Sequence, residues 1–255
     1  MNKIKIAIIG VGSCASSLIH GIHYYRDKNA GDALGLLHWE IGGYRPGDIE
    51  VVAAFDIDER KVGKDVNEAI FSMPDCTTVF NTYIPDAGVS VQMGKILDAS
   101  LSIMMDFEKS TREEVVHILK EAEAEVIMNY LPVGSEEASR FYAYCALDAG
   151  VSFVNNTSVS MACNPIWAYK FGCKNIPLIG DAFNPRLPIK ATLDSSGVAI
   201  DSIRCAKLAL NRGIGGVLLA PSAYFCKHPI RQFTYEESYN MIEQFINNED
   251  DPCIN

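Results

Sequence analysis

The chain has 255 residues, 48% of them hydrophobic, and its 22 basic against 32 acidic side chains give a formal net charge of −10. That length supports one large or two small domains around a substantial core. The acidic balance argues against nucleic acid as the main partner, because a phosphate-binding face needs a basic excess. No apolar run approaches the ~20 residues that span a bilayer.

Lys3 to Ile9 reads as a β-branched strand, not as a secretory leader, and Gly10-Val11-Gly12-Ser13-Cys14-Ala15 follows it at once. A helix then runs to about Asp27. A strand, a Gly-x-Gly-x-x-Ala turn and a helix form the arrangement that cradles a dinucleotide pyrophosphate. Gly10 permits the sharp turn, and Gly12 lets phosphate approach the backbone. Ala15 is small enough for the helix to pack on the strand. The first helical turn, at Ser13 and Cys14, presents its N–H groups and positive dipole end to the phosphates.

Lys28 to Asp48 is a Gly-rich insertion. Glu50 to Phe55 is a second strand, and it ends in Asp56-Ile57-Asp58. Asp56 stands where an acidic residue accepts from the adenosine ribose hydroxyls, which favours NAD over NADP. Asp58 is then left to cap a helix over Glu59–Phe71, with Lys61 and Lys64 as surface groups on it. Ser72 to Ser90 is a long loop containing Pro74 and Pro85.

Thr111-Arg112-Glu113-Glu114 has the form of a capping box, with Thr111 or Ser110 at the cap and a helix to about Ala122. Glu125–Leu131 is a strand, Ser135–Ala149 a helix stopped by Gly150, Val151–Val154 a strand, Pro165–Phe171 a helix and Ile176–Ile179 a strand. This alternation predicts an α/β fold with a doubly wound parallel sheet. Ligands bind at the carboxyl ends of such strands. Asn129, Tyr130, Leu131 and Pro132, then Asn155, then Gly180 and Asp181 lie there and form a candidate cofactor rim.

Beyond Gly180 the rhythm changes. Asn184–Ser196 is short and Pro-containing, Ala199–Arg212 is a helix, and Leu218–Lys227 is apolar and mixed. Thr234 caps a last amphipathic helix to about Asn248, and Glu249-Asp250-Asp251 is a solvated tail. The eight cysteines show neither Cys-x-x-Cys nor finger spacing. They read as free thiols of a reducing cytoplasm, with no structural zinc. His20 and His23 share a helix face but lack a third ligand, so no metal site is expected.

Several blocks resemble the prokaryotic myo-inositol-1-phosphate synthases. They are Gly10 to Leu18, Gly42-Gly43-Tyr44, Val52 to Asp58 with Lys61-Val62-Gly63-Lys64, Tyr130 to Ala138, Phe141-Tyr142-Ala143 and Cys145 to Gly150. Ile203 to Leu210 and Ala220 to Pro229 complete the set. The resemblance implies a Rossmann-like domain over residues 1–183 and a C-terminal segment, 199–255, that returns to it. It adds Tyr142 to the cofactor-binding residues. It further implies a cytoplasmic isomerase of inositol and phospholipid biosynthesis. In that reaction NAD oxidises glucose 6-phosphate, an enolate closes the ring, and the same NADH returns its hydride.

The chain also departs from the family. The long segment with two closely spaced catalytic lysines and most of the sheet used for tetramer assembly is largely absent, leaving residues 184–198 as its remnant. Gly180-Asp181-Ala182 stands where the family has Gly-Asp-Asp, and Val154-Asn155-Asn156-Thr157-Ser158 where it has Val-Asn-x-x-Pro. Lys227 matches the C-terminal catalytic lysine, and Asp194 an acidic position near it. Three origins stay open: a natural segment lies outside this sequence, the chain is a shortened and catalytically silent NAD-binding relative, or it is a minimal scaffold. An NAD-dependent sugar or polyol dehydrogenase with net redox is a further alternative.

Overall fold

The computed structural model describes residues 3–73, 79, 84–98, 110–184 and 191–247, with the side chains of 191–195 excepted. Seven strands form one sheet in the order β3-β2-β1-β4-β5-β6-β7, and every pairing is parallel. They are β1 (Ile4–Ile9), β2 (Ile49–Asp56), β3 (Val91–Met93), β4 (Val126–Asn129), β5 (Ser152–Asn155), β6 (Pro177–Ile179) and β7 (Gly216–Val217). The helices are α1 (Ser13–Arg26), α2 (Val66–Ala69), α3 (Arg112–Glu121), α4 (Glu136–Ala149), α5 (Pro165–Lys174), α6 (Ala191–Arg212), α7 (Leu219–Phe225) and α8 (Tyr235–Ile246).

β1 is an interior strand, paired with β2 on one side and β4 on the other. Its side chains alternate between the two faces of the sheet, as the two-residue period of a strand requires. Ile4, Ile6 and Ile8 join the core under α1, α6 and α8, while Ala7 and Ile9 join the core under α3, α4 and α5. A strand covered on both faces has no solvent side, which is why Lys3–Ile9 reads as nearly continuous apolar sequence. Small residues set the closest helix contact: a Cβ on Gly21 of α1 would lie 2.5 Å from the Cβ of Ser196 on α6.

Thr111 caps α3 and Thr234 caps α8 through complete capping boxes. Gly150 ends α4 in the left-handed region at φ 78°. Several expectations are corrected. No helix covers Glu59–Phe71: the chain turns through Asp58–Lys64, and α2 is a single short helix capped by Asp65, whose side chain accepts from the Asn67 N–H. Gly63, at φ +84°, breaks the periodic run. The last long helix starts at Ala191 rather than Ala199, because Gly197 is held inside it by close packing. A Cβ there would lie 1.8 Å from the carbonyl oxygen of Gly35. The mixed stretch Leu218–Lys227 contains α7, and β3 and β7 extend the sheet beyond the strands read from sequence. Residues 74–78, 80–83 and 185–190, and the acidic tail, lie outside the described residues.

No helix among the described residues is long and apolar enough to cross a membrane. The described residues hold no cluster of three or more candidate metal ligands.

Candidate functional site

Connections leave β1 toward β2 on one side, and β4 lies on the other, so the strand order reverses between β1 and β4. Loops diverge at such a reversal and open a crevice at the carboxyl ends of the strands. A cleft of about 600 Å³ lies there, walled by Gly10, Gly12, Ser13 and Cys14 on one side and by Leu131 and Pro132 on the other.

Each residue of the glycine-rich turn has a separate physical reason. Gly10 adopts φ +88°, and a Cβ on it would lie 2.9 Å from the carbonyl oxygen of Tyr130. Its N–H donates to the Phe55 carbonyl at 2.8 Å, which fastens the turn to the end of β2. An added Cβ on Gly12 would meet no atom within 4 Å, so the space above it is open to a ligand. No side chain caps α1 and no acid lies in its first turn, leaving the N-terminal end of the helix dipole facing the cleft. Ala15 is fully buried beneath, seating α1 on the sheet, while Ser13 and Cys14 are exposed. Although the residue as a whole is exposed, partial desolvation of its sulfur raises the Cys14 thiol above its ordinary range.

Asp56 closes the adjacent corner. One carboxylate oxygen accepts from the Val11 N–H at 2.6 Å, and the other from the N–H groups of Ile57 and Asp58 at 2.7 and 2.9 Å. The carboxylate is therefore fixed in position and ties the glycine-rich turn to β2. Asp58 begins no helix. It accepts from the backbone N–H and guanidinium of Arg60 at 3.0 and 2.8 Å. The Arg60 hydrogen bonds hold its carboxyl down at about 2. Lys61 is likewise no surface group: its side chain is 14% exposed, donates to the Val11 carbonyl at 2.6 Å and lies 4.0 Å from Asp56.

On the opposite wall, Tyr142 of α4 is buried and its hydroxyl accepts from the Lys95 N–H at 3.1 Å. A Cβ on Gly94 would sit 2.8 Å from that hydroxyl, so glycine is what lets the post-β3 loop close on the ring. Burial raises the Tyr142 phenol well above its ordinary value.

A second cavity of about 510 Å³ continues the crevice, sharing Cys14 and Tyr130–Val133 with the first. Asn156, Thr157, Ser158, Lys227 and His228 line its far side. The chain reaches this place through an antiparallel bridge between Phe183 and Cys226. The Lys227 N–H donates to the Ala182 carbonyl at 2.6 Å, which fixes the backbone while leaving the Lys227 side chain exposed. Position 194 lies within α6, and the Asp194 side chain is outside the described residues.

Three expected rim residues face elsewhere. Asn129, Asn155 and Asp181 are buried behind the crevice and open onto neither cavity. Asn129 and Asn155 are register partners on β4 and β5. The Asn129 amide donates to Asn155 at 2.9 Å, and the Asn155 amide donates to Asp181 at 2.7 Å. Asp181 also accepts from the N–H groups of Met161, Ala162 and Cys163, at 3.0, 3.1 and 3.3 Å. Burial raises the Asp181 carboxyl, against the pull of these donors. This chain of bonds bolts the ends of β4, β5 and β6 together and sets the loops that do line the crevice. Tyr130, Leu131 and Pro132 line the crevice as expected, and the residues that reasoning from sequence missed at the rim are Asn156 and Ser158, in the loop after β5, and Lys61.

The chain is 43% identical over 216 residues to an inositol-3-phosphate synthase of Mycolicibacterium smegmatis, covering 83% of this chain and 57% of that protein. It is 41% identical over 216 residues to the inositol-3-phosphate synthase of Mycobacterium tuberculosis H37Rv, covering 83% and 56%. Against that of Corynebacterium glutamicum it is 41% identical over 211 residues, covering 78% and 58%. The chain thus spans a little over half the length of the curated relatives it matches. No protein-family model matches it. Among solved structures, that of Ari2 superposes with a TM-score of 0.83 at 24% identity, covering 97% of this chain and 99% of that one. A myo-inositol-1-phosphate synthase-related protein from Thermotoga maritima superposes with a TM-score of 0.69 at 16% identity, covering 95% and 98%. At these identities the structural likeness is one of fold.

Proposed function

We propose that this chain is a member of the inositol-3-phosphate synthase family, to whose members it is 41–43% identical over a little over half their length, and that it binds NAD in the crevice between β1 and β4 and uses it to isomerise glucose 6-phosphate to inositol phosphate. The observation that carries the reading is the glycine-rich turn: Gly10 cannot bear a side chain, Gly12 faces open space, and α1 points an uncapped N-terminus into the cleft. Those features fit a pyrophosphate, which needs backbone N–H donors and room at the helix end. Asp56, held by three backbone N–H groups, keeps acceptor capacity for a ribose hydroxyl.

Bound NAD supplies a hydride store that is emptied and refilled within one turnover. The protein's own groups do the rest. Leu131 and Pro132 wall the crevice where the two cavities meet and present an apolar surface there. Ser158 and the Asn156 amide offer hydrogen-bonding groups to substrate hydroxyls in the second cavity. Lys227 stands over the same space and can steady an oxyanion or hold a proton beside it.

A specific observation favours a second reading, a catalytically silent NAD-binding relative. Among the described residues lining the second cavity, Lys227 is the one lysine, where enolate chemistry calls for several cationic groups. Calorimetric titration with NAD, followed by incubation with glucose 6-phosphate, separates the readings. Inositol phosphate without net NADH supports the synthase. Binding without any product leaves the silent relative. Accumulating NADH indicates a dehydrogenase, and absence of NAD binding overturns all three.

A further inference from the structure

Lys61 is the one charged side chain of the first cavity that donates to the glycine-rich turn. Its ammonium has three N–H donors, and one goes to the Val11 carbonyl at 2.6 Å. The side chain is 14% exposed and lines the cavity beside Asp56, whose carboxylate is 4.0 Å away and 12% exposed. The other nearby cations are engaged elsewhere. Arg60 is bonded to Asp58 and to the Met73 carbonyl, and Lys95 lies over the ring of Phe141, 6.0 Å from its centroid. Asp56 uses three of its roughly four acceptor sites on backbone N–H groups. A carboxylate with one site left, next to an ammonium with donors left, matches a hydroxyl, which gives one hydrogen bond and takes another.

We infer that Lys61 is a second reader of the adenosine ribose, and that its charge beside Asp56 makes the site accept NADP as well as NAD. An unaccompanied carboxylate at this corner repels a 2′-phosphate. An ammonium 4.0 Å away offsets much of that repulsion and can bond to a phosphate oxygen directly. Lys61 thereby sets how strongly the site discriminates between the two dinucleotides. The inference rests on the dinucleotide reading of the crevice.

The test is titration of the intact protein with NAD and NADP. Lys61→Gln keeps an N–H donor for the Val11 carbonyl and removes the charge, so it separates the tether from the ribose contact. In the wild type the NADP-to-NAD ratio of Kd values is expected to stay below roughly a hundredfold, and Lys61→Gln is expected to raise it about tenfold or more, the scale of one charge-assisted contact. A wild-type ratio above about a thousandfold, or a Lys61→Gln ratio equal to the wild type's, overturns the role of Lys61 while leaving NAD binding standing. If the wild type binds neither dinucleotide, the underlying reading fails instead. Lys61→Met removes the charge on a side chain of similar length and serves if the glutamine variant does not fold. It should raise the ratio about tenfold or more, and a ratio equal to the wild type's overturns the inference.

Discussion

The two cavities of the crevice share one wall but are built on different principles. The ligand-facing corner of the first is set by local backbone geometry, through a glycine-rich turn, an uncapped helix end and a carboxylate held by backbone N–H groups. Its parts are local in sequence, and each has a steric or dipolar reason that any reader of the chain can supply. The second is made of side chains, Asn156, Ser158, Lys227 and His228, brought together by the bridge between Phe183 and Cys226. Its floor depends on the buried bonds from Asn129 through Asn155 to Asp181. A ligand that meets every wall thus touches one half fixed by backbone geometry and one half fixed by long-range polar bonding.

The sharpest way to break this contrast is Asp181→Ala. The change leaves the Asn155 amide and three backbone N–H groups buried without their acceptor. The expected loss is about 3–5 kcal/mol in urea unfolding, the usual effect of removing a buried charged partner. A loss below about 1 kcal/mol would show that the strand ends hold without these bonds.

Within the first cavity, Gly10→Ala and Gly12→Ala should part company. Alanine at Gly10 meets the Tyr130 carbonyl and an unfavourable φ, and is expected to cost about 2 kcal/mol together with NAD binding. Alanine at Gly12 meets nothing, so stability should stay within about 0.5 kcal/mol while NAD affinity falls at least about tenfold. Equal destabilisation by both variants would contradict the open space over Gly12. In the second cavity, Lys227→Ala should leave melting temperature and NAD affinity unchanged and reduce inositol phosphate formation by about 10²–10⁴, the range of one general acid–base group. Wild-type turnover in that variant would remove Lys227 from the chemistry.

The same contrast explains what sequence reasoning could reach. The glycine-rich turn, Asp56 and the parallel alternation are legible because they are set by neighbours along the chain and by period. Asn129, Asn155 and Asp181 stand at strand ends as read, yet their side chains point into the protein. A strand end fixes position along the strand, whereas side-chain direction depends on the pairing of Asn129 with Asn155 across β4 and β5. Lys61 was hidden for a related reason. Helical spacing over Glu59–Phe71 suggested a surface lysine, but the turn at Gly63 folds the segment against Val11. The start of α6 was misplaced because contact with Gly35 outweighs the helix-weakening effect of Gly197. Position 194, Pro-containing segment 185–190 and the tail fall outside the described residues or their side chains.

The smallest effect tests whether the two cavities are independent of the far end of α1. His23 lies in the last turns of that helix, and burial, aided by Arg26, pushes its imidazole down to about 4. The unfolded chain takes up a proton near the ordinary histidine value of about 6.5, whereas the native chain does so only near 4. Between those values the unfolded state binds more protons, so the stability that neutral His23 permits is lost as pH falls through this window and levels off below it. His23→Gln removes that uptake. Its melting temperature, measured relative to the wild type by circular dichroism, should rise by a few degrees from pH 7 to pH 4, with NAD affinity at pH 7 unchanged. Parallel acid curves would mean that His23 is not held neutral in the fold. An altered NAD affinity would mean that the far end of α1 reaches the glycine-rich turn through the helix, and the backbone-built cavity would then be less self-contained than its local hydrogen bonds imply.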